Sequence, residues 1–550
     1  MRLVAKIFLL SVGAVVAIRA AETSAEIEIG ERLFRETRFS QNFAFPSGTR
    51  VNGRETSDDS FLNATAVAAA NRHELGDQNA RGAQSISCAS CHLGAHNEGS
   101  SGLPVRRSTS FADFSARSKI PAREDGRLTT PRNTASLVDA LVSHQGGWGL
   151  LHWDGEFTSA GDLIKSTYTG RNFGWLPGEQ AEARRHFARV IREDAGRDKL
   201  AREYGGLSYA VLFRGVDAGI PEARRLPAPL RFDPMLASDD EVINGCARLV
   251  ALYLESLQFS RDSGGRYDGS PYDAFLEINR LPRAPRTGET SREYARRLHN
   301  AIAALQKPRF VDEPSRRLVL HDQPFRFGEL ELRGIRIFFR GSLGYGRKTS
   351  AGNCAECHVP PNFTDFAFHN TGVAQQEYDA AHGLGAFARL TVPQLAARAA
   401  DYDQWLPPTD RHPKAKGIFL MEVSSDAPNR ADLGLWNCYG NPDVPAPQPV
   451  IERMLNRDGR LDPDGVLALT LGRFKTPTVR DLGQSGPYFH TGGKGTIEDV
   501  IKFYREMSSL AHENKMRNAP TEYFEMSLGE EDTAPLAAFL RSLNEDYRSP

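Results

Sequence analysis

The chain has 550 residues, of which 40% are hydrophobic and 25% charged, and its formal net charge is −1. That length suits two or three domains, each able to bury its own core. The near-neutral balance excludes electrostatic capture of nucleic acid or of an anionic membrane surface, which needs a basic excess.

In chain order, Arg2 and Lys6 precede an apolar run from Ile7 to Ile18, and small residues Ala20 and Ala21 follow. This is the pattern of a secretory signal peptide over 1–21, with a run too short for a comfortable membrane span. No other stretch is apolar for long enough to cross a bilayer, so the expected location is the periplasm, without stable membrane insertion. An amphipathic helical segment then opens with Gly30-Glu31-Arg32-Leu33-Phe34, and residues 43–84 read as an insertion with an alanine-rich helical piece. Cys88-Ala89-Ser90-Cys91-His92, Thr130-Pro131-Arg132-Asn133 and Trp153-Asp154-Gly155 come next. After the last of these, Ser159 reads as the N-cap of a short helix through Asp162-Leu163-Ile164-Lys165. A helix bearing Cys246 closes the half at Tyr253-Leu254-Glu255-Ser256-Leu257.

Beyond a Pro/Arg-rich connector at 263–325, the same order returns. Gly334-Ile335-Arg336-Ile337-Phe338 precedes Cys354-Ala355-Glu356-Cys357-His358, and Thr476-Pro477-Thr478-Val479-Arg480 follows. His490-Thr491-Gly492 then leads to Asp499-Val500-Ile501-Lys502, with Thr496 as the expected N-cap, and Phe539-Leu540-Arg541-Ser542-Leu543 ends the half. The repeat places one domain at 26–262 and a second at 326–550. Residues 375–470 split the second domain; rich in Pro, Asp and Gly, they read as long surface loops.

Six cysteines in an exported chain would ordinarily form three disulfides. Here four of them lie in two copies of Cys-x-x-Cys-His, the attachment signature of c-type haem, in which the thiols become thioethers and the histidine ligates the iron. Zinc does not require the histidine after the second cysteine, and no βαβ pattern supports a thioredoxin-like pair. The expected fold is therefore mainly α: two tandem cytochrome c-like domains, each with one covalent haem, Cys88, Cys91 and His92 holding the first and Cys354, Cys357 and His358 the second. Cys246 reads as a buried small residue and Cys438 as a loop residue; whether they pair stays open.

The motifs Gly-x-x-Leu-Phe, Ile86-Ser87-Cys88-Ala89-Ser90-Cys91-His92, Arg132-Asn133-Thr134, Trp153-Asp154-Gly155, Phe368-His369-Asn370-Thr371-Gly372 and Pro487-Tyr488-Phe489-His490, in that order, resemble the bacterial di-haem cytochrome c peroxidase and MauG family. The resemblance covers most of 30–262, 326–374 and 471–545. It implies a peroxidase-type oxidoreductase (cytochrome-c peroxidase-like) in which the N-terminal haem meets hydrogen peroxide and the C-terminal haem passes electrons from a small periplasmic donor, a cytochrome c or a copper protein. It further implies that Trp153 bridges the haems and that one calcium ion between the domains contacts the Asn133 side chain and the carbonyls of Ser485 and Pro487. Tyr504 falls at the position of the sixth ligand of the C-terminal haem, where the peroxidases carry methionine and the MauG type tyrosine; Met507 is the alternative ligand. Counted from Trp153, the equivalent position of the first half is Thr167, a poor iron ligand, which leaves that iron open.

The chain departs from the family at the peroxide side. Leu163 stands at the place of the distal Gln, and Arg171-Asn172-Phe173-Gly174 near that of the distal Glu, which normally moves the proton. Glu179 and His152 are the candidate substitutes, with Glu179 expected as the catalytic carboxylate beside Trp153. His96, close after the first haem motif, reads as a loop residue. His144, His186 and His382 read as structural, and His369 and His490 as supports of the C-terminal haem or the interface. The function classes left are peroxide reduction, MauG-like oxidation of a partner protein, and electron carriage without catalysis.

Overall fold

The computed structural model describes residues 24–44, 51–52, 86–94, 110–111, 117–142, 148–317, 323–341 and 350–545. The signal peptide, most of insertion 43–84, His96 and His144 lie outside them. Among the described residues the elements are mainly helices, with three two-stranded antiparallel ribbons.

Each half is built on a crossed helix pair, and one glycine sets the crossing. In the first, helix Ala25–Phe34 lies on helix Asp239–Ser256. A Cβ on Gly30 would collide with the Leu249 carbonyl and stand 2.9 Å from Tyr253 Cβ. In the second, helix Glu329–Phe339 lies on helix Thr533–Arg541, and a Cβ on Gly334 would collide with the Pro535 carbonyl and stand 2.7 Å from Phe539 Cβ. The two glycines therefore sit inside their helices, not at the openings read from sequence. What they supply is close backbone approach, bought against the lower helix propensity of glycine. Ser159 and Thr496 cap matching helices, Ala160–Tyr168 and Ile497–His512, each oxygen accepting from the N–H three residues on at 3.1 Å.

Two expectations about the spacers need correction. The stretch 263–325 is no mere connector: helices Pro271–Ile278 and Ser291–Ala303 and the ribbon Val311–Arg317 with Pro324–Phe327 belong to the second half. Tyr272, Phe275, Tyr294 and Leu298 share one core with Ile335, Phe338 and Phe539. Nor is 375–470 a set of surface loops. It forms a lobe of short helices, among them Leu395–Ala400, Gln448–Leu455 and Pro463–Thr470, around a core of Phe387, Leu406, Leu433, Trp436, Ile451 and Val466. Pro, Asp and Gly here start and stop short helices; Asp462 caps Pro463–Thr470, with proline tolerated in the first turn. Arg398 lies buried under Trp436 and donates to its carbonyl at 2.6 Å. The ribbon Phe368–His369 with Phe474–Lys475 closes the lobe at its base.

None of the six cysteines is in a disulfide. Cys246 is buried in the N-terminal core and Cys438 in the lobe core, so the two belong to different hydrophobic clusters.

Candidate functional site

Each Cys-x-x-Cys-His motif begins as a single tight helical turn, Cys88–Ser90 and Cys354–Glu356. The turn closes identically in both: His92 N donates to Cys88 O at 2.9 Å, and His358 N to Cys354 O at 2.8 Å. Burial pushes the Cys88 and Cys354 thiols up to about 12. Such sulfurs are held in the neutral form by their surroundings, as a thioether sulfur is. Each imidazole is oriented by a main-chain carbonyl: His92 Nδ1 on Ala135 O at 3.1 Å, His358 Nδ1 on Phe363 O at 3.2 Å. With Nδ1 as donor, Nε2 keeps its lone pair for a metal. Burial lowers His92 to about 4 and lowers His358 as well, so both rings are neutral and able to ligate. On this chemistry the residues fit covalent haem.

The two capped helices carry different side chains eight residues past their caps, Thr167 in one and Tyr504 in the other. Thr167 turns its hydroxyl back onto Leu163 O at 2.9 Å, spending it within its own helix. Tyr504 instead projects among Phe489, Phe503 and Tyr523, with ring centroids 6.0, 5.8 and 6.0 Å away. Its phenol is pushed up by burial first and then by the Cys357 and Cys354 thiols, and its neighbour Tyr523 follows Glu522, whose carboxylate lies within 4.8 Å of Cys357 Sγ. Met507 is buried with its sulfur against Gly372, 2.6 Å from where a Cβ would stand there, in a small core with Met516 and Tyr523.

Between the halves, Trp153 Nε1 donates to Asn133 O at 2.9 Å, and Lys475 N donates to Trp153 O at 2.8 Å. The indole meets His490 edge-on at 6.3 Å, and His490 stacks on Phe474 at 3.4 Å. Burial holds His490 down at about 3. Arg132 ties this seam together, donating to Asp154 at 2.5 Å and to both oxygens of Asp432, a lobe residue, at 2.6 and 2.9 Å. Asn133 N donates to His490 O at 2.6 Å, and its side-chain amide to Pro487 O at 2.5 Å and Phe489 O at 3.1 Å. Asn133 Oδ1 is buried without a partner, and a side-chain oxygen beside main-chain carbonyls is a donor set that a hard cation accepts. Ser485, on the same segment, has its N–H on Leu482 O at 3.2 Å.

Glu179 is engaged elsewhere. Its carboxylate takes Arg123 at 3.0 and 2.8 Å and Leu176 N at 2.7 Å, at the start of helix Gln180–Glu193. With these bonds made, it is a structural clamp, which corrects its reading as the catalytic carboxylate. His186 Nε2 lies 2.7 Å from Arg38 O, His382 Nδ1 3.0 Å from Tyr378 O and His369 Nε2 2.8 Å from Asp365, all local contacts. His152 Nδ1 lies 3.3 Å from Glu156 Oε2. The sequence reading did not single out Glu156, Lys475 or Asp432. Spacing could have flagged Glu156 only, four residues past His152 across the Gly155 turn.

No protein-family model matches the chain. It is 30% identical over 74 residues to the cytochrome-c peroxidase IdrP1 of Denitromonas iodatirespirans, covering 14% of this chain and 18% of that one. It is 29% identical over 189 residues to the methylamine utilization protein MauG of Methylophilus methylotrophus, covering 34% and 51%. With MauG of Methylorubrum extorquens it shares 38% over 89 residues, 16% and 22%. The matched stretches thus span at most about half the length of these relatives. Among solved structures, a MauG-like protein associated with microbial copper homeostasis superposes with a TM-score of 0.43 at 16% identity, over 95% of this chain and 90% of that one. The diheme peroxidase BthA from Burkholderia thailandensis gives 0.40 at 15% identity, over 94% and 86%.

Proposed function

We propose, from the chain's resemblance to the bacterial di-haem cytochrome c peroxidase and MauG family, that it is an oxidoreductase with two covalent haems. In this reading hydrogen peroxide is reduced in the N-terminal half, with electrons supplied through the C-terminal half by a small cytochrome c or copper protein. The haems, held by Cys88, Cys91 and His92 and by Cys354, Cys357 and His358, supply the iron for peroxide reduction and for one-electron transfer.

One observation carries the reading: the inequality of Thr167 and Tyr504 at matching places of a repeated scaffold. Thr167 offers no ligand, so the iron that His92 would hold would keep a place for substrate. Tyr504 would supply a further ligand to the iron that His358 would hold, while Met507 is packed against Gly372. Trp153, bonded to both halves through Asn133 and Lys475, gives electrons a short aromatic path. The Asn133 carbonyl accepts the indole proton's hydrogen bond, holding the ring at one orientation. Asn133, Pro487 and Ser485 would hold a calcium ion, stiffening the segment that carries His490. The signal-like pattern of residues 1–21 supports a periplasmic location, and no helix among the described residues is long and apolar enough to cross a membrane.

Tyr504 also favours a second reading, oxidation of a partner protein, since tyrosine marks the MauG side of the resemblance and two of the relatives are MauG proteins. Electron paramagnetic resonance of the resting ferric protein tests what both share. One high-spin and one low-spin haem are expected; two low-spin signals at rest, with the haem that stays ferric after one-electron reduction still low-spin, leave only an electron carrier. Peroxide consumption with a reduced donor then separates the two: rapid multiple turnover supports the first reading, and its absence the second.

A further inference from the structure

The tight hairpin at 151–157 occurs twice in the molecule. Leu151 N donates to Phe157 O at 2.7 Å, and in the second half Tyr488 N donates to Lys494 O at 2.7 Å. His152 and Phe489 both take φ +69°, and Gly155 and Gly492 take +73° and +65°. The backbone shape therefore belongs to the scaffold, and the two copies differ in the side chains they carry. Phe489, Thr491 and Gly493 stand where the first copy has His152, Asp154 and Glu156. The second copy satisfies itself, Thr491 Oγ1 accepting from Gly493 N at 3.2 Å. The first does not. Asp154 is 3% exposed, gives Oδ2 to Arg132 and keeps Oδ1 buried with no hydrogen-bond partner among the described residues. A buried carboxylate oxygen left in that state is costly, and a cation would relieve it.

Two further donors meet that carboxylate. One ligand atom each from His152, Asp154 and Glu156 lie within 4.8 Å of one another, and His152 Nδ1 is 3.3 Å from Glu156 Oε2. Donors at about 2.0–2.2 Å from one tetrahedral zinc ion stand roughly 3.4 Å apart, so small side-chain rotations would close the set. The His152 and Glu156 side chains are 45% and 38% exposed, which gives an ion a way in and water for its fourth place. Arg132 does not cancel the site. Its guanidinium is divided between Asp154 and Asp432, so with Glu156 three carboxylates face one fixed cation.

We propose that His152, Asp154 and Glu156 bind one first-row divalent metal ion of the zinc type. The imidazole nitrogen turns the set away from magnesium and calcium, which take oxygen ligands, and the lack of a sulfur ligand turns it away from copper(I). None of the three donors lies in a Cys-x-x-Cys-His motif, so the site stands independently of the haem reading. The ion would give Asp154 Oδ1 its missing partner and would crosslink the residues on either side of Trp153, fixing the turn that carries the indole.

Calorimetric titration with zinc tests this on the holoprotein, washed with a chelator and then supplied with excess calcium. One equivalent should bind, undiminished by the calcium. Loss of an outer partner of a metal ligand costs about 10–100-fold in affinity, and loss of a ligand should cost no less, so His152→Phe and Glu156→Gln should each weaken binding at least that far. The scaffold accepts phenylalanine at this place, as Phe489 shows in the second copy. Zinc should also raise the Tm of the wild type and leave that of both variants where it was. Absence of a saturable equivalent in the wild type overturns the proposal, as does unchanged affinity in His152→Phe. An equivalent that both variants keep and His369→Phe loses overturns it too, since the zinc then belongs to Cys357, His369 and Glu522, whose donor atoms also lie within 4.8 Å of one another.

Discussion

Helix Ala25–Phe34 and helix Glu329–Phe339 are used in the same way, each notched by a glycine against its partner and each leading into an attachment turn of the same shape. The halves part company on the opposite wall, where the helices capped by Ser159 and Thr496 present Thr167 and Tyr504. Their buried charges differ too. The N-terminal half seals Arg32 and Arg38 against Asp194 and Glu36, whereas the C-terminal half seals Arg480 against Asp273. A duplicated scaffold can keep its helix crossing and its attachment chemistry and still separate two roles by one side chain per half.

The comparison breaks most completely at the four cysteines of the two Cys-x-x-Cys-His motifs. Replacing Cys88 and Cys91 together by alanine should remove one of the two covalent haems and the high-spin signal with it. The same change at Cys354 and Cys357 should remove the low-spin signal instead, as read by haem stain and paramagnetic resonance. Arg132→Met is next: it strands Asp154 and Asp432 inside the seam, and removing one partner of a buried pair costs about 3–5 kcal/mol, measured by denaturant unfolding. Acid sharpens the contrast at His490. Its native value is about 3 against about 6.5 unfolded, so the unfolded chain binds more protons between these limits. The stability it contributes is whole above about pH 6.5 and is lost as pH falls toward 3, with a slope up to about 1.4 kcal/mol per pH unit. His490→Phe should flatten that part of the stability profile. Smallest are Gly30→Ala and Gly334→Ala. In an ordinary helix alanine would stabilise by up to about 1 kcal/mol, but here overpacking at the crossing should destabilise each half by about 1–3 kcal/mol, read as a lowered Tm.

The two matching turns of the Cys-x-x-Cys-His motifs were legible because the motif has a fixed spacing and because the tandem repeat doubled every weak signal. The helix caps at Ser159 and Thr496 were legible for the same reason. The lobe at 375–470 was not. Its helices are short and its apolar residues, such as Leu433, Trp436 and Ile451, are scattered among turn formers, so no helical period accumulates. The 263–325 stretch misled through its arginines and prolines, although Tyr272, Phe275 and Tyr294 carry it into the core. Glu179 misled because its partner Arg123 lies 56 residues away and only the fold brings them together.

Asp432 gives the lobe an unexpected hold on the rest of the molecule. Because this outlying module furnishes one of the two carboxylates that neutralise Arg132, it cannot be pruned as an ornament. A version of the chain without the lobe would leave the Arg132 guanidinium held by Asp154 without Asp432, next to the residue that carries the indole. Gain or loss of the lobe is therefore tied to the identity of position 132, and engineering a compact form means rewriting both together.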